Sequence, residues 1–193
     1  MRATDEPTAV ALDLDQADLA LNPTRTRVWA PVGVAWEVET PGTNQKQPLF
    51  GAVNTRTGQT HVALRSHKRS ADFQAFVDTV LLPAYPDADF LFLIVDGAAI
   101  YTSKSTRAWL AQRPRIVLVP LPSYAPKLNL QELLWRWLRA EVTHNHYFST
   151  FAALVAAAER FFATLAAQPQ AVLHRIGRAF PSLLEHHLAA IIP

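Results

Sequence analysis

The 193-residue chain contains no cysteine and only six glycines. Without cysteine there is no disulfide scaffold, no cysteine nucleophile and no thiolate metal site. The same lack fits a reducing compartment. The first strand pattern is not followed by a glycine-rich turn, nor by alternating strand and helix, so a dinucleotide-binding fold is excluded. No apolar run reaches the roughly 18 residues needed to span a bilayer. The opening MRATDEPTAV is acidic where a secretory leader is basic and then apolar. There is no internal repeat and no low-complexity linker. What the chain does have is a 50% hydrophobic composition, which rules out intrinsic disorder. The length suits one domain with a small appendage. These features predict a soluble cytoplasmic protein with no membrane partner.

Charge is unevenly placed. Residues 1–100 hold 8 Lys and Arg against 12 Asp and Glu, a balance of −4; residues 101–193 hold 10 against 4, a balance of +6. The basic half is mostly arginine, whose planar guanidinium suits bidentate contacts to phosphate. Such a face points to nucleic acid.

Hydrophobic periodicity outlines the elements. In residues 8–15, Val10, Leu12 and Leu14 alternate with Ala11, Asp13 and Asp15, as a strand requires. Residues 27–39 give a second strand region. Residues 48–54 run through the turn signal Thr55-Arg56-Thr57-Gly58 into 61–65, a hairpin. Ser70 is placed to cap a helix through Phe73, Phe76, Val77, Val80 and Leu81, closed by Pro83 and Pro86. Residues 89–95 are a continuous apolar run expected of a central strand, and 115–119 give another buried strand. A short helix lies between them, to about Gln112. After a proline loop come helices over about 128–142 and 150–167, with one or two more in 171–190. Three antiparallel strands, helix, strand, helix, strand, helices is the order of a ribonuclease-H-like α/β fold: a mixed five-stranded sheet flanked by helices, with extra C-terminal helices. The expected division is a domain over 1–167 and a helical tail over 168–193.

Three carboxylates stand out by position. Asp15 closes the first strand pattern, and Asp96 follows the apolar run at a carboxyl edge, where open α/β sheets place their ligands. Glu132 lies on the helix after the proline loop. There Leu130, Leu133, Leu134, Trp137 and Leu138 form the apolar stripe, while Asn129, Glu132, Arg136 and Arg139 share the other side. Gathered carboxylates repel and raise one another's pKa. Divalent cations resolve that conflict, and Mg²⁺ takes one or two carboxylates with waters and phosphate oxygens. Each residue also has an ordinary role open to it: Asp15 in a turn, Asp96 in an Asx-turn before Gly97, Glu132 as an i,i+4 partner of Arg136.

Four segments carry a family resemblance. DQADLALNPTRTRVWAPVG (15–33), LFGAVNTRTGQ (49–59), VDGAAIYTSK (95–104) and LPSYAPKLNLQELLWRWLR (121–139) resemble the blocks of IS630-group transposases, in the IS630/Tc1/mariner superfamily of DDE transposases. The last block is the most specific, with Leu121, Pro122, Tyr124, Pro126, Leu128, Asn129, Glu132 and Trp135 all in place. The 35 residues between Asp96 and Glu132 are close to the superfamily's usual spacing. The resemblance covers roughly residues 9–165. It implies that Asp15, Asp96 and Glu132 are catalytic and hold two Mg²⁺ (or Mn²⁺) ions. It also implies that DNA strands are cut and transferred, with insertion at TA dinucleotides. Asp13 shares a face with Asp15 and is the reserve choice, since the distance to Pro23 and Trp29 favours Asp15.

The departures are Gln16 where Glu is usual, Tyr101 where His is usual, and Lys127 and Leu130 in the third block. They leave open a decayed or truncated remnant that only binds DNA or an intact transposase. His144-Asn145-His146 lacks the context of an HNH nuclease and reads as a polar loop near DNA. Trp135 and Trp137 are candidates for base stacking or core. Arg113, Arg115, Lys127, Asn129, Arg136 and Arg139 are the expected DNA contacts, because they flank the third block. The first strand pattern begins near residue 8, so the helix-turn-helix region that reads the element's ends is expected to be absent, with a separate N-terminal polypeptide as one way of carrying it. A homodimer is expected in the DNA complex.

Overall fold

β1 (Ala9–Ala20), β2 (Lys46–Asn54) and β3 (Thr60–Leu64) form the antiparallel half of a five-stranded sheet. β4 (Phe90–Val95) and β5 (Ile116–Pro120) extend it in parallel on the other side of β1, giving the order β3-β2-β1-β4-β5. This is a computed structural model, and it describes residues 8–27, 29, 31–33, 37–122 and 128–179. The sheet is the expected mixed one with its first three strands antiparallel, and those three are the first strand region and the hairpin. Among the described residues, no single helix is long and apolar enough to cross a membrane.

Strand alternation sorts the side chains onto two faces. Leu12 and Leu14 of β1, Phe50 and Ala52 of β2, and Leu91, Leu93 and Val95 of β4 share one apolar cluster. The helices covering them are α1 (Ser70–Phe76), α2 (Leu82–Ala84), α3 (Ala99–Thr102) and α4 (Lys104–Leu110), with Phe73, Phe76, Tyr101 and Trp109 turned inward. The other face takes α5 (Gln131–Leu138), α6 (Phe151–Ala167) and α7 (Pro169–Ala179). Leu19 and Leu49 meet Trp135, Leu138 and Leu154 there, while Val53 meets Leu130, Leu134, Val172 and Ile176. The expected division at 167/168 therefore falls between two helices, and α7 shares an apolar cluster with α5.

Two local readings are corrected. The 27–39 region is no strand among its described residues, and Trp29 and Val32 are wholly exposed. Pro31 and the positive φ of Gly33 (86°) break the alternation, and side chains with no apolar surface to cover do not specify a strand. Ser70 does not cap α1. Its hydroxyl bonds Ser103 Oγ at 2.8 Å and the Ile100 carbonyl at 3.2 Å, and Asp72 reaches back to the Arg69 amide instead. Pro83 does not end the helix either, which passes through a π-helical turn (Val77–Leu81) into α2 and continues to Ala84, just before Pro86.

Candidate active site

Asp15 and Asp96 come together through strand register. β1 pairs with β4 in parallel as far as Asp13 opposite Ile94, so two residues on Asp15 is level with Asp96, just beyond the end of β4. Neighbouring strands lie about 4.8 Å apart. By alternation both carboxylates leave the sheet on the face that α5 covers. α5 runs along β1, with Leu130 at Asp13 and Trp135 at Asp15, and this carries Glu132 to the same edge.

The electrostatics register that gathering. Burial pushes the Asp15 carboxyl up from 3.8 to about 7; the Gln16 amide opposes this, and the negative charges of Asp96 and Glu132 add to it. Trp135 Nε1 donates to Asp15 Oδ2 at 3.0 Å and fixes that oxygen. Asp96 Oδ1 accepts the Ala98 amide at 3.0 Å, so the Asx-turn expected of an Asp-Gly pair is present and orients the carboxylate. Among the described residues, no three carboxylate or imidazole groups enclose a single ion position.

Asp13 sits one step back along the same face and is wholly buried. Its Oδ1 accepts the Leu130 amide at 3.3 Å, and burial raises its carboxyl to about 7. Tyr101 is 2% exposed, with its ring edge-on to Phe73 at 5.0 Å. Burial, then Asp15 and Asp96, pushes its pKa up and keeps the phenol neutral.

The expected DNA contacts divide sharply. Arg136 is exposed on α5, one turn after Glu132, and Arg139 is partly exposed at the end of that helix. No ion pair joins Arg136 to Glu132 among the described residues. Arg113 and Arg115 lie elsewhere. They precede β5, whose five residues at about 3.3 Å each put them about 15 Å from its carboxyl edge. Arg113 is bound to both Asp78 oxygens, at 2.8 and 3.0 Å, and stacks on Trp109 at 4.7 Å. Arg115 donates to the carbonyls of Tyr85 and Pro86. Proximity in sequence to the third block misplaced them, because β5 crosses the whole sheet in between. Asn129 is also corrected: it is 3% exposed, and its amide bonds the Leu14 carbonyl at 3.0 Å and the Gln131 amide at 3.1 Å. It holds α5 instead of facing DNA. Lys127 lies outside the described residues.

One further feature went unread in the sequence, and two were read only in part. Gly51, opposite Asp15, lets α5 approach: a Cβ there would meet Gln131 Nε2 at 2.5 Å and Trp135 Cη2 at 2.6 Å. A glycine inside a strand pattern was the available signal. Trp135 is buried by this contact and by Phe162 at 6.2 Å, so its ring is core, not a base-stacking platform. The 143–146 turn is stitched to the segment after β1: Thr24 Oγ1 to His144 Nδ1 at 2.7 Å, and Asn145 Oδ1 and Nδ2 to the backbone of Thr26 at 3.1 and 3.2 Å. The His-Asn-His motif is a structural clasp.

The comparisons with known proteins fit this arrangement. Residues 12–155 match the family model of the DDE superfamily endonucleases. A 39 kDa protein of insertion element IS630 from Shigella sonnei is 33% identical over 155 residues, which is 80% of this chain and 45% of that protein. The Mos1 strand transfer complex is similar in fold, with a TM-score of 0.60 at 14% identity over 92% of this chain and 54% of that one. The mariner Mos1 paired end complex with Mg gives 0.59 at 15%, over 91% and 55%. The chain thus spans about half the length of these relatives.

Proposed function

This chain belongs to the DDE superfamily endonucleases, and we propose that it is the catalytic part of an insertion-sequence transposase that cuts DNA strands and transfers them in a Mg²⁺-dependent reaction. The observation that carries this reading is the meeting of Asp15, Asp96 and Glu132 at one sheet edge, felt in the raised carboxyl of Asp15. The donor set fits the ion. All three are hard oxygen ligands, and their mutual repulsion falls when a cation joins them. An open carboxylate edge suits Mg²⁺, which keeps several waters and takes up phosphate oxygens. Mn²⁺ fits the same donors.

Asp15, Asp96 and Glu132 would hold two such ions, which supply an activated water and stabilise the leaving oxygen of a phosphodiester. Trp135 steadies one oxygen of Asp15, and the Ala98 amide steadies one of Asp96. Tyr101, packed on the opposite face, stays neutral beside these carboxylates. Arg136 and Arg139 would meet the phosphates of the DNA as it passes Glu132. The transposase reading further assigns the element's ends and a TA target to the substrate, a dimer to the DNA complex, and end recognition to a helix-turn-helix region outside the 1–167 catalytic unit, on a separate polypeptide or another segment.

The test is calorimetry with Mn²⁺ alongside cleavage of a duplex carrying the element's end. Asp15→Asn, Asp96→Asn and Glu132→Gln are each expected to weaken Mn²⁺ binding at least tenfold and to abolish cutting. Metal binding without any cutting by the wild type would favour the binding-only remnant. Nonspecific DNA binding should fall steeply with salt, and each of Arg136→Ala and Arg139→Ala should reduce that slope by about one. Arg113→Ala should leave it unchanged.

A further inference from the structure

We propose that Asp13, a residue with no place among the three metal-site carboxylates, is a positioning residue that sets the register of the Glu132 helix against the strand bearing Asp15. The inference rests on the metal-site reading given above, and its observations are separate from it.

α5 begins without a local side-chain cap at Leu130. A helix start leaves its first amides unpaired, and a nearby Ser, Thr, Asp or Asn usually accepts one. Here the acceptor for the Leu130 amide is Asp13 Oδ1 at 3.3 Å, 117 residues away on β1. Asn129 completes the connection. Its Nδ2 donates to the Leu14 carbonyl at 3.0 Å, and its Oδ1 accepts the Gln131 amide at 3.1 Å. Two bonds thus run from consecutive residues of β1 to consecutive residues at the start of α5, ending two residues before Glu132. A carboxylate at this end of the helix also meets the favourable pole of its dipole.

Register matters because a helix advances 1.5 Å and turns 100° per residue. A slip of one residue would carry the Glu132 carboxylate well outside the tolerance of ions roughly 3.5–4 Å apart. The other polar contact between α5 and β1, Trp135 Nε1 to Asp15 Oδ2, uses an oxygen of the metal-site carboxylate itself. It depends on what Asp15 is holding. The Asp13 and Asn129 bonds do not touch the site carboxylates, so they keep α5 in place through loading and release. Asp13 is 0% exposed, Leu130 occupies its Oδ1, and its Oδ2 has no partner among the described residues, so the variants below separate positioning from ligation. Asn at position 13 preserves the accepting oxygen; Val preserves the shape and removes it.

The test is Mn²⁺ calorimetry and amide hydrogen exchange on the 193-residue chain and its Asp13→Asn, Asp13→Val and Asp15→Asn variants. Asp13→Asn is expected to bind Mn²⁺ within about threefold of wild type, with exchange of residues 129–135 unchanged. Asp13→Val is expected to lose tenfold or more in affinity and to exchange at least tenfold faster in 129–135, while α1 and β4 stay protected. If Asp13→Val does not fold, Asn129→Ala removes the other half of the connection and carries the same expectation. Wild-type affinity and exchange in Asp13→Val would overturn the proposal. So would an Asp13→Asn variant that loses Mn²⁺ as fully as Asp15→Asn, which would make Asp13 a ligand. The exchange arm needs no metal. A wild-type chain that binds no Mn²⁺ would sink the metal-site reading, and exchange of 129–135 would still decide the role of Asp13.

Discussion

On the α1 side of the sheet, Leu12, Leu14, Phe50, Phe73, Phe76 and Leu91 are fully buried in a cluster that is apolar apart from the Tyr101 hydroxyl and the Trp109 indole N–H. On the α5 side, the same strand buries Asp13 completely, and Asn129 and Gln131 are buried above it. Both faces come from one alternating run, residues 9–15, yet they do different work. The first face gains its stability from apolar area removed from water. The second accepts buried polar groups whose hydrogen bonds have direction, and direction is what a site made of separate elements requires. Gln131 shows the cost: neither amide atom of its buried side chain has a partner among the described residues.

If the faces divide stability from placement, substitutions on each should separate the two. Phe73→Ala, on the α1 side, is expected to destabilise by about 3–5 kcal/mol, because the lost ring leaves a cavity among Tyr101, Trp109 and Phe76. Its Mn²⁺ affinity at low temperature, where the chain is still folded, should remain near wild type. Glu132→Gln should do the reverse, changing stability by no more than about 0.5 kcal/mol, since the side chain is only partly buried, and removing the metal. Urea denaturation and calorimetry on both variants check this. A Phe73→Ala chain that is folded but metal-free would show that the faces are not separable.

The sequence exposed much of this plan. Alternation around Leu12 and Leu14 was enough to put Asp13 and Asp15 on one face, and the apolar run 89–95 fixed a central strand ending at Asp96. Family spacing then singled out Asp15 and Glu132. What stayed hidden depends on contacts between distant segments. Nothing local says that Asp13 caps a helix 117 residues on, or that Asn129 turns inward, because each is a lone polar residue between two leucines and its partner is set by a distant segment. Arg113 and Arg115 look like neighbours of the Glu132 block until β5 is laid across the sheet. The 27–39 run has strand-like composition, and the exposure of Trp29 and Val32 shows why its described residues form none.

The next largest effect expected is in pH dependence. Burial raises the carboxyls of both Asp13 and Asp15 from 3.8 to about 7. Between those values the folded chain holds protons that the unfolded chain has released. Their contribution to stability is therefore greatest below about pH 4 and declines as pH rises to about 7. Each tenfold change in proton affinity is worth about 1.4 kcal/mol, so fully buried Asp13 accounts for up to about 4 kcal/mol of the decline. Urea midpoints from pH 4 to 8 should fall for wild type and fall less for Asp13→Asn, which cannot ionise. Mg²⁺ should recover the share that belongs to Asp15, with proton release on binding at pH 6. An Asp13→Asn chain with the wild-type slope would mean that Asp13 titrates normally and that the α5 face bears no such cost.

The smallest effect sharpens the comparison most, because it adds a single methyl group. At Gly51, on the α5 face of β2, a Cβ would stand 2.5 Å from Gln131 Nε2 and 2.6–2.7 Å from the Trp135 ring. Trp135 is part of the same helix that carries Glu132, and its indole holds Asp15, so the ring cannot yield without moving one or the other. Gly51→Ala is therefore expected to cost about 1–3 kcal/mol as an overpacked contact. It should also weaken Mn²⁺ binding severalfold, although residue 51 bears no donor. Gly177, in α7, has nothing within 4 Å of an added Cβ. Gly177→Ala should raise stability by up to about 1 kcal/mol through helix propensity and leave metal binding alone. Denaturation and calorimetry on the pair separate the outcomes. If Gly51→Ala costs stability but leaves Mn²⁺ affinity intact, the tryptophan contact supports the fold without placing the carboxylates, and placement must come from the start of α5 alone.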